Sequence, residues 1–222
     1  MLLAIDTSTA HTGLACYDAR GLVAECVWHS GRDHTAQLLP QLTMLLRHTG
    51  RSREEISAVA VALGPGSWSG LRVGLSTAKG FALARDLPIL GIGTLDVLAY
   101  QQARPGMPVY PLIRLGRERY AVAAYGVGDA ERRAAKPRNT TLLELCAEIG
   151  GQALFCGDID GDVQEVLRGQ LGDRARFPTP AANQRRPGFL AELAWRRLQA
   201  GDVDDVATLE PIYLGQPVKT VA

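Results

Sequence analysis

Short apolar segments alternate with polar turns along the first part of the chain. Three of them follow one another closely, at Leu2 to Ile5, Gly13 to Tyr17 and Leu22 to Trp28. This spacing predicts an antiparallel meander of three strands. Apolar residues then recur at helical spacing from Leu38 to Leu46, and a glycine at position 50 ends the pattern, which predicts an amphipathic helix.

The next elements alternate between strands and helices. We predict a buried strand at Val59 to Leu63, a helix that starts in a glycine-rich loop and ends near Arg85, a strand at Pro88 to Ile92 and a helix at Thr94 to Ala103. The first part of the chain therefore has the predicted order βββαβαβα.

After a predicted connector at residues 101–108, a similar order of elements begins again. Two strands come first, near Val109 to Leu115 and Arg119 to Val127, and strands then alternate with helices up to a last helix at Gly188 to Gln199. An internally duplicated α/β protein explains this pattern. We predict two lobes, residues 1–104 and a smaller, partly reduced lobe of residues 105–222.

Composition narrows the class of protein. The chain has 222 residues, 46% of them hydrophobic, with 24 Lys plus Arg against 23 Asp plus Glu. This balance counts against a protein that grips nucleic acid unaided, and we interpret the basic pair Arg185-Arg186 as solvated surface. The four cysteines show no C-x-x-C spacing, and no apolar run is long enough to span a membrane. We expect a soluble cytoplasmic protein.

The turn after the first strand carries the first candidate chemistry. Asp6, Thr7 and Ser8 place a carboxylate and two hydroxyls at the carboxyl end of a strand, where α/β sheets often bind ligands. Such a turn can hold phosphate while Asp6 orients water or a metal ion. The alternative is a turn whose side chains only close a hairpin.

The glycine-rich loop after the buried strand is a second candidate. Gly64, Gly66 and Ser67 precede a helix, where backbone N–H groups can face an anion, and Arg72 adds a positive charge in the first helical turn. The loop lacks the P-loop pattern. A structural loop that allows two backbones to approach closely is the alternative.

A stripe of small residues follows on the same helix, with a period of four: Gly70, Gly74, Ala78 and Ala82. Interior glycines weaken a helix, so a close neighbour must compensate. The spacing leaves open whether that neighbour belongs to the same chain or to a partner.

His34 is a candidate metal ligand only at first sight. A histidine four residues later would share its helix face, but that position is Leu38. The chain also lacks H-E-x-x-H and G-x-S-x-G motifs. We therefore assign no catalytic residue and no metal ligand.

Several of these segments together resemble the bacterial TsaB (YeaZ) family. The opening Leu3 to Thr9, His34 with Leu38-Leu39-Pro40, the block Ala62 to Gly74, and Ala78-Lys79-Gly80 carry the resemblance, and Pro211 to Leu214 is similar to the C-terminal signature of the family. The resemblance implies a duplicated two-lobe fold of the actin/Hsp70/sugar-kinase-like (ASKHA) superfamily.

The resemblance also implies a function. It indicates a non-catalytic scaffold of the complex that installs N6-threonylcarbamoyladenosine at position 37 of ANN-decoding tRNAs. The chain would dimerise with a catalytic TsaD-type subunit, a TsaE-type ATPase would join them, and tRNA would be contacted only through the complex. No cofactor would be intrinsic, although ATP or ADP with Mg²⁺ is expected at the composite interface.

In this family the two helices of the first lobe form the pairing surface. The residues so implied at the partner interface are His34, Leu38, Leu42, Leu45, Gly70, Gly74, Ala78 and Ala82. Arg114 and Gly215 depart from the family pattern.

Other interpretations remain at this stage. The chain could form a homodimer when no TsaD-type subunit is present. A stand-alone nucleotide hydrolase or small kinase of the same superfamily would use Asp6 and the loop Gly64 to Gly70. A peptidase has no supporting motif in the sequence.

Overall fold

The computed structural model describes residues 1–31, 33–103, 106–126 and 136–214. These residues form an α/β protein with two five-stranded sheets, one in each of two compact units. The first unit contains residues 1–97 and 185–212, and the second contains residues 98–184 and those after 212. The predicted connector residues Arg104 and Pro105, and Gly215, lie outside the described residues.

The sheet of the first unit has the strand order β3-β2-β1-β4-β5. Strands β1 to β3 form the predicted antiparallel meander, whereas β1, β4 and β5 run parallel. The strands are β1 (Leu2–Asp6), β2 (His11–Asp18), β3 (Gly21–His29), β4 (Ala58–Gly64) and β5 (Ile89–Gly93).

Helices cover both faces of this sheet. Alternate residues of β1 point to opposite faces, so Leu3 and Ile5 pack against one helical layer while Leu2 and Ala4 pack against the other. The first layer is α1 (His34–Thr49) with α2 (Trp68–Arg85), which contact each other, and the second is α7 (Pro187–Gln199). A short 3₁₀ turn, Arg53–Glu55, precedes β4, and α3 (Thr94–Gln102) follows β5.

The second unit repeats the strand order of the first. Its sheet, β10-β9-β6-β7-β8, has β6 in the position of β1, with antiparallel neighbours on one side and parallel neighbours on the other. This repetition confirms the predicted duplication. The elements are β6 (Val109–Gly116), β7 (Arg119–Val122), β8 (Arg138–Thr140), α4 (Leu142–Ala147), β9 (Ala153–Gly157), α5 (Gly161–Leu171), the 3₁₀ turn Gly172–Arg174, β10 (Ala175–Arg176) and α6 (Pro180–Asn183).

The grouping of elements differs from the predicted lobes of residues 1–104 and 105–222. The prediction placed the last helix, α7, in the second lobe, but α7 packs on β1, β2 and β3 of the first sheet. Its buried side chains Leu190, Ala191 and Ala194 complete a core cluster with residues of β1 and β4. The apolar stripe of α7 is buried against the first sheet, so the chain returns to the first unit.

Candidate functional site

Asp6 is the last residue of β1, and its carboxylate is buried. The backbone N–H of Ser8 donates to Oδ1 of Asp6 at 2.9 Å, and the Ser8 hydroxyl donates to the same oxygen at 2.5 Å. This arrangement is the side-chain-closed turn that the sequence offered as an alternative to ligand binding.

The second oxygen of Asp6 faces a cation from far along the chain. Nε of Arg185 lies 3.1 Å from Oδ2 of Asp6, a charge contact whose direction does not meet hydrogen-bond geometry. The Arg185 side chain is only 8% exposed, and its Nη2 donates to the Thr9 hydroxyl. The sequence-based interpretation of Arg185 as solvated surface is wrong, because Arg185 is the buried counter-ion of Asp6. Its neighbour Arg186 pairs with Glu25 of β3.

The predicted glycine-rich loop packs directly against this turn. The backbone N–H of Ser67 donates to the carbonyl of Ser8 at 2.7 Å. A Cβ placed on Gly66 would lie 2.2 Å from the same carbonyl oxygen, and one on Gly70 would lie 2.1 Å from the carbonyl oxygen of Thr7. The glycines are therefore required by the close approach of two backbones, and this observation favours the structural interpretation of the loop over anion binding.

A magnesium nucleotide does not fit this turn as it stands. The structure brings together Asp6, Thr7 and Ser8 with the loop Gly64 to Ser67, but one oxygen of Asp6 is bonded to Ser8 and the other faces Arg185. Arg72, which was expected to add a charge to an anion site, is exposed on α2 and lies over the Trp68 ring, 4.1 Å from its centroid.

His34 begins α1 and is buried. Its Nδ1 lies 2.7 Å from the Thr12 hydroxyl and 3.0 Å from the Ser30 hydroxyl. Burial lowers the pKa of His34 below its ordinary value, while the carboxylates of Asp6 and Asp33 oppose that shift. Within the described residues, no group of three or more His, Cys, Asp or Glu side chains is placed to hold a metal ion.

The pair of Ser30 and His34 has the spacing of a nucleophile and its base, but it lacks access. Ser30 and His34 are both buried, as is Thr12. The Ser30 hydroxyl also lies 3.2 Å from the carbonyl of Ala10, to which it can donate. A hydroxyl that no substrate reaches is a structural group, so this arrangement gives no support to a peptidase.

The residues implied at the partner interface do not lie on the outer surface of α1 and α2. All eight residues implied at the partner interface are buried in their own chain: His34, Leu38, Leu42, Leu45, Gly70, Gly74, Ala78 and Ala82. The stripe on α2 faces β1 and β4, and a Cβ on Gly74 would lie 2.3 Å from the Thr7 hydroxyl and 3.6 Å from Val61. The close neighbour that the stripe predicted is therefore the sheet of the same chain.

The outer faces of α1 and α2 carry other residues. Four large apolar side chains are exposed there, Leu39, Met44, Trp68 and Leu83. We call these outer faces the α1–α2 surface. Neither helix contains an Asp or Glu, whereas four cationic residues lie on them, Arg47, Arg72, Lys79 and Arg85.

Comparisons with known proteins indicate the family to which the chain belongs. The model of a family described as TsaD, tRNA N6-adenosine threonylcarbamoyltransferase, matches residues 27–146. The tRNA threonylcarbamoyladenosine biosynthesis protein TsaB of Bacillus subtilis (strain 168) is 27% identical over 217 residues, which are 96% of this chain and 93% of that protein. TsaB of Escherichia coli (strain K12) is 38% identical over 98 residues, 44% of this chain and 42% of that protein.

The solved structure of YeaZ from Pseudomonas aeruginosa has the same fold, with a TM-score of 0.78 and 21% identity over 96% of this chain and 99% of that one. The duplicated sheets define a two-lobe α/β protein of the actin-like class, as the sequence predicted. The chain belongs to the TsaD family, whose model covers more than half of it, and within that family to the TsaB (YeaZ) group. None of the helices in the described part is both long and apolar enough to cross a bilayer.

Proposed function

We propose that the chain is a non-catalytic subunit of the complex that forms threonylcarbamoyladenosine on tRNA. In this proposal it pairs with a TsaD-type catalytic subunit through the α1–α2 surface. The pathway is supported by the family and by curated relatives named for biosynthesis of this nucleoside. The observation that carries the pairing is the set of exposed apolar side chains on two adjacent helices.

The charge of this surface indicates the kind of partner. Cationic residues accompany the apolar side chains of α1 and α2, and these helices contain no carboxylate. A second copy would bring like charges together, whereas a different protein with carboxylates around an apolar centre would complement them. The surface therefore favours a heterologous partner over the homodimer.

The non-catalytic role is supported by the closed turn of the first unit. Asp6 already has Arg185 as its counter-ion, and His34 hydrogen-bonds with buried hydroxyls. We therefore place ATP or ADP with Mg²⁺ among the assembled subunits rather than at the Asp6 turn. A TsaE-type ATPase joins the assembly, tRNA is contacted through the complex, and the complex acts in the cytoplasm.

Leu83→Glu tests the pairing. Leu83 is 68% exposed on α2, so the substitution places a charge on the surface without entering the core. We expect loss of the complex with the TsaD-type protein of the same organism in size-exclusion chromatography with light scattering. Threonylcarbamoyladenosine formation in the reconstituted mixture should fall by roughly tenfold or more, since pairing would bury the new carboxylate against apolar surface without a counter-ion.

Val203→Glu is the matched control, because Val203 is an exposed apolar residue of the first unit outside α1 and α2. It should leave both association and product formation unchanged. A Leu83→Glu protein that still forms the complex would contradict the assigned surface. If the unsubstituted chain did not associate under any condition, with or without ATP and the TsaE-type protein, the pairing itself would be wrong.

A further inference from the structure

The second unit contains a groove that the proposed function does not use. It lies where α4 and α5 pack against each other beside the turn between β6 and β7, it is open to solvent on one side, and its volume is about 480 Å³. Leu142 and Val163 are buried at its base, next to the ring of Tyr120. We call this feature the α4–α5 groove.

Apolar surface continues from the groove onto the outside of both helices. Leu143 of α4 is 59% exposed and Val166 of α5 is 38% exposed, and both also line the groove. A small ligand enclosed in the cavity would leave much of this apolar surface in water. A polypeptide segment lying along the two helices would cover it, so the shape favours a protein segment over a small molecule.

Carboxylates outnumber cations at the rim of the groove. Arg114 lies over the Tyr120 ring at 5.4 Å, and its guanidinium contacts Oδ2 of Asp160 at 2.6 Å. Burial raises the pKa of Tyr120, Arg114 opposes that shift, and the charges of Asp160, Asp158 and Asp162 add to it.

Two further charged residues belong to the β6–β7 turn. Among the described residues, Glu118 and Asp162 are the two carboxylates that line the groove, against the single lining cation Arg114, and Arg117, next to Glu118 in the sequence, is a second cation. Farther along, Arg119 and Glu144 form a pair of opposite charges, 3.7 Å apart. The rim as a whole thus favours a positively charged occupant.

We propose that the α4–α5 groove binds a segment of another protein in which apolar side chains are flanked by lysine or arginine. The apolar side chains fill the cavity between Leu143 and Val166, and the flanking cation lies against the carboxylates of Asp162 and Glu118. The groove consists only of second-unit residues, so its occupation and the pairing through α1 and α2 are tested by different substitutions.

The test is selection from a random peptide phage library on the full chain, in parallel with selection on Val166→Lys. The substitution removes an apolar contact and adds a charge that repels a cationic segment. We expect sequences that combine apolar residues with Lys or Arg to be enriched on the unsubstituted chain only. For a synthetic peptide of such a sequence, Val166→Lys should weaken the affinity measured by fluorescence anisotropy by roughly tenfold or more.

Two further variants separate the apolar from the electrostatic contribution to peptide binding and control for effects outside the groove. Asp162→Asn should lower the affinity for the same peptide by roughly threefold and reduce the salt dependence of that affinity. Val203→Lys, on the first unit, should bind like the unsubstituted chain. Enrichment of acidic or uncharged sequences, equal binding to Val166→Lys, or no sequence that distinguishes the two proteins would overturn the proposal.

Discussion

Equivalent strand ends are built in opposite ways in the two units, although the two sheets share one strand order. In the first unit β1 ends in a buried carboxylate, Asp6, and the loop after β4 packs directly onto the following turn. In the second unit β6 carries a cation, Arg114, near its end. The backbone N–H of Arg114 donates a hydrogen bond to Asp158, which follows β9, at 2.9 Å. The end of β1 is therefore covered by other parts of the same chain, whereas the end of β6 borders the open α4–α5 groove.

The helices of the two units also differ in length. Helices α1 and α2 have 16 and 18 residues, whereas their counterparts α4 and α5 have 6 and 11. At the usual rise per residue, α4 extends only about 9 Å and α1 about 24 Å. The shorter helices cover less of the second sheet. A duplicated fold thus kept its topology while the strand ends acquired different environments.

The largest test of this contrast is Arg185→Met. Loss of the guanidinium leaves the buried carboxylate of Asp6 without its counter-ion, so we expect the free energy of unfolding to fall by about 3–5 kcal/mol. Urea denaturation measures the change. The double variant Asp6→Asn with Arg185→Met should recover most of the loss, because it removes both charges. If Arg185→Met were as stable as the parent, the ion pair would not be what closes the turn.

A second substitution tests the close approach of backbones in the first unit. Gly70→Ala places a methyl group 2.1 Å from the carbonyl oxygen of Thr7, and a backbone oxygen cannot move away easily. We expect a loss of at least about 2 kcal/mol in the free energy of unfolding, measured by urea denaturation. A neutral result would show that the glycine-rich loop has room to shift and would reopen it as a binding loop.

The sequence predicted the order of elements well where glycines and polar turns mark the ends of strands and helices. Glycines and polar turns separate the strands of the first unit, and these elements were found in the predicted order. The strand β8 was not predicted, because Arg138, Asn139 and Thr140 are polar and too few to show alternation. The strand predicted to run from Arg119 to Val127 ends at Val122, and Tyr125 beyond it forms an isolated bridge to Val109. Val127 lies outside the described residues.

The candidate site was harder to predict than the fold. The sequence identified the turn at Asp6 and the glycine-rich loop, and the structure brings them together. It could not identify Arg185 as their partner, because a buried arginine and a solvated one look alike in a sequence. The small-residue stripe indicated a close neighbour without saying which one, and only the contact of Gly74 with Thr7 shows that it is the chain's own sheet.

A glycine substitution in the second unit, Gly169→Ala, should change the free energy of unfolding in the opposite direction to Gly70→Ala. Gly169 lies inside α5, and among the described residues no atom outside its immediate chain surroundings comes within 4 Å of a Cβ placed there. Gly169→Ala should therefore raise the free energy of unfolding by about 0.5–1 kcal/mol through helix propensity alone. The midpoint of urea denaturation measures the gain. A loss comparable to that of Gly70→Ala would contradict the difference in packing between α2 and α5.

The smallest change in the free energy of unfolding is expected when the ion pair between Arg114 and Asp160 in the second unit is removed. The side chains of Arg114 and Asp160 are 44% and 56% exposed, so Arg114→Met should lower the free energy of unfolding by no more than about 1 kcal/mol. Asp160 keeps a structural partner in the variant, because its Oδ1 accepts from the Val163 N–H at 3.0 Å. The other carboxylate oxygen of Asp160 is then hydrated by solvent, whereas the carboxylate of Asp6 is buried and has no such access to water. A loss as large as that of Arg185→Met would mean that the charges of both strand ends are buried alike, and the contrast between a closed and an open end would fail.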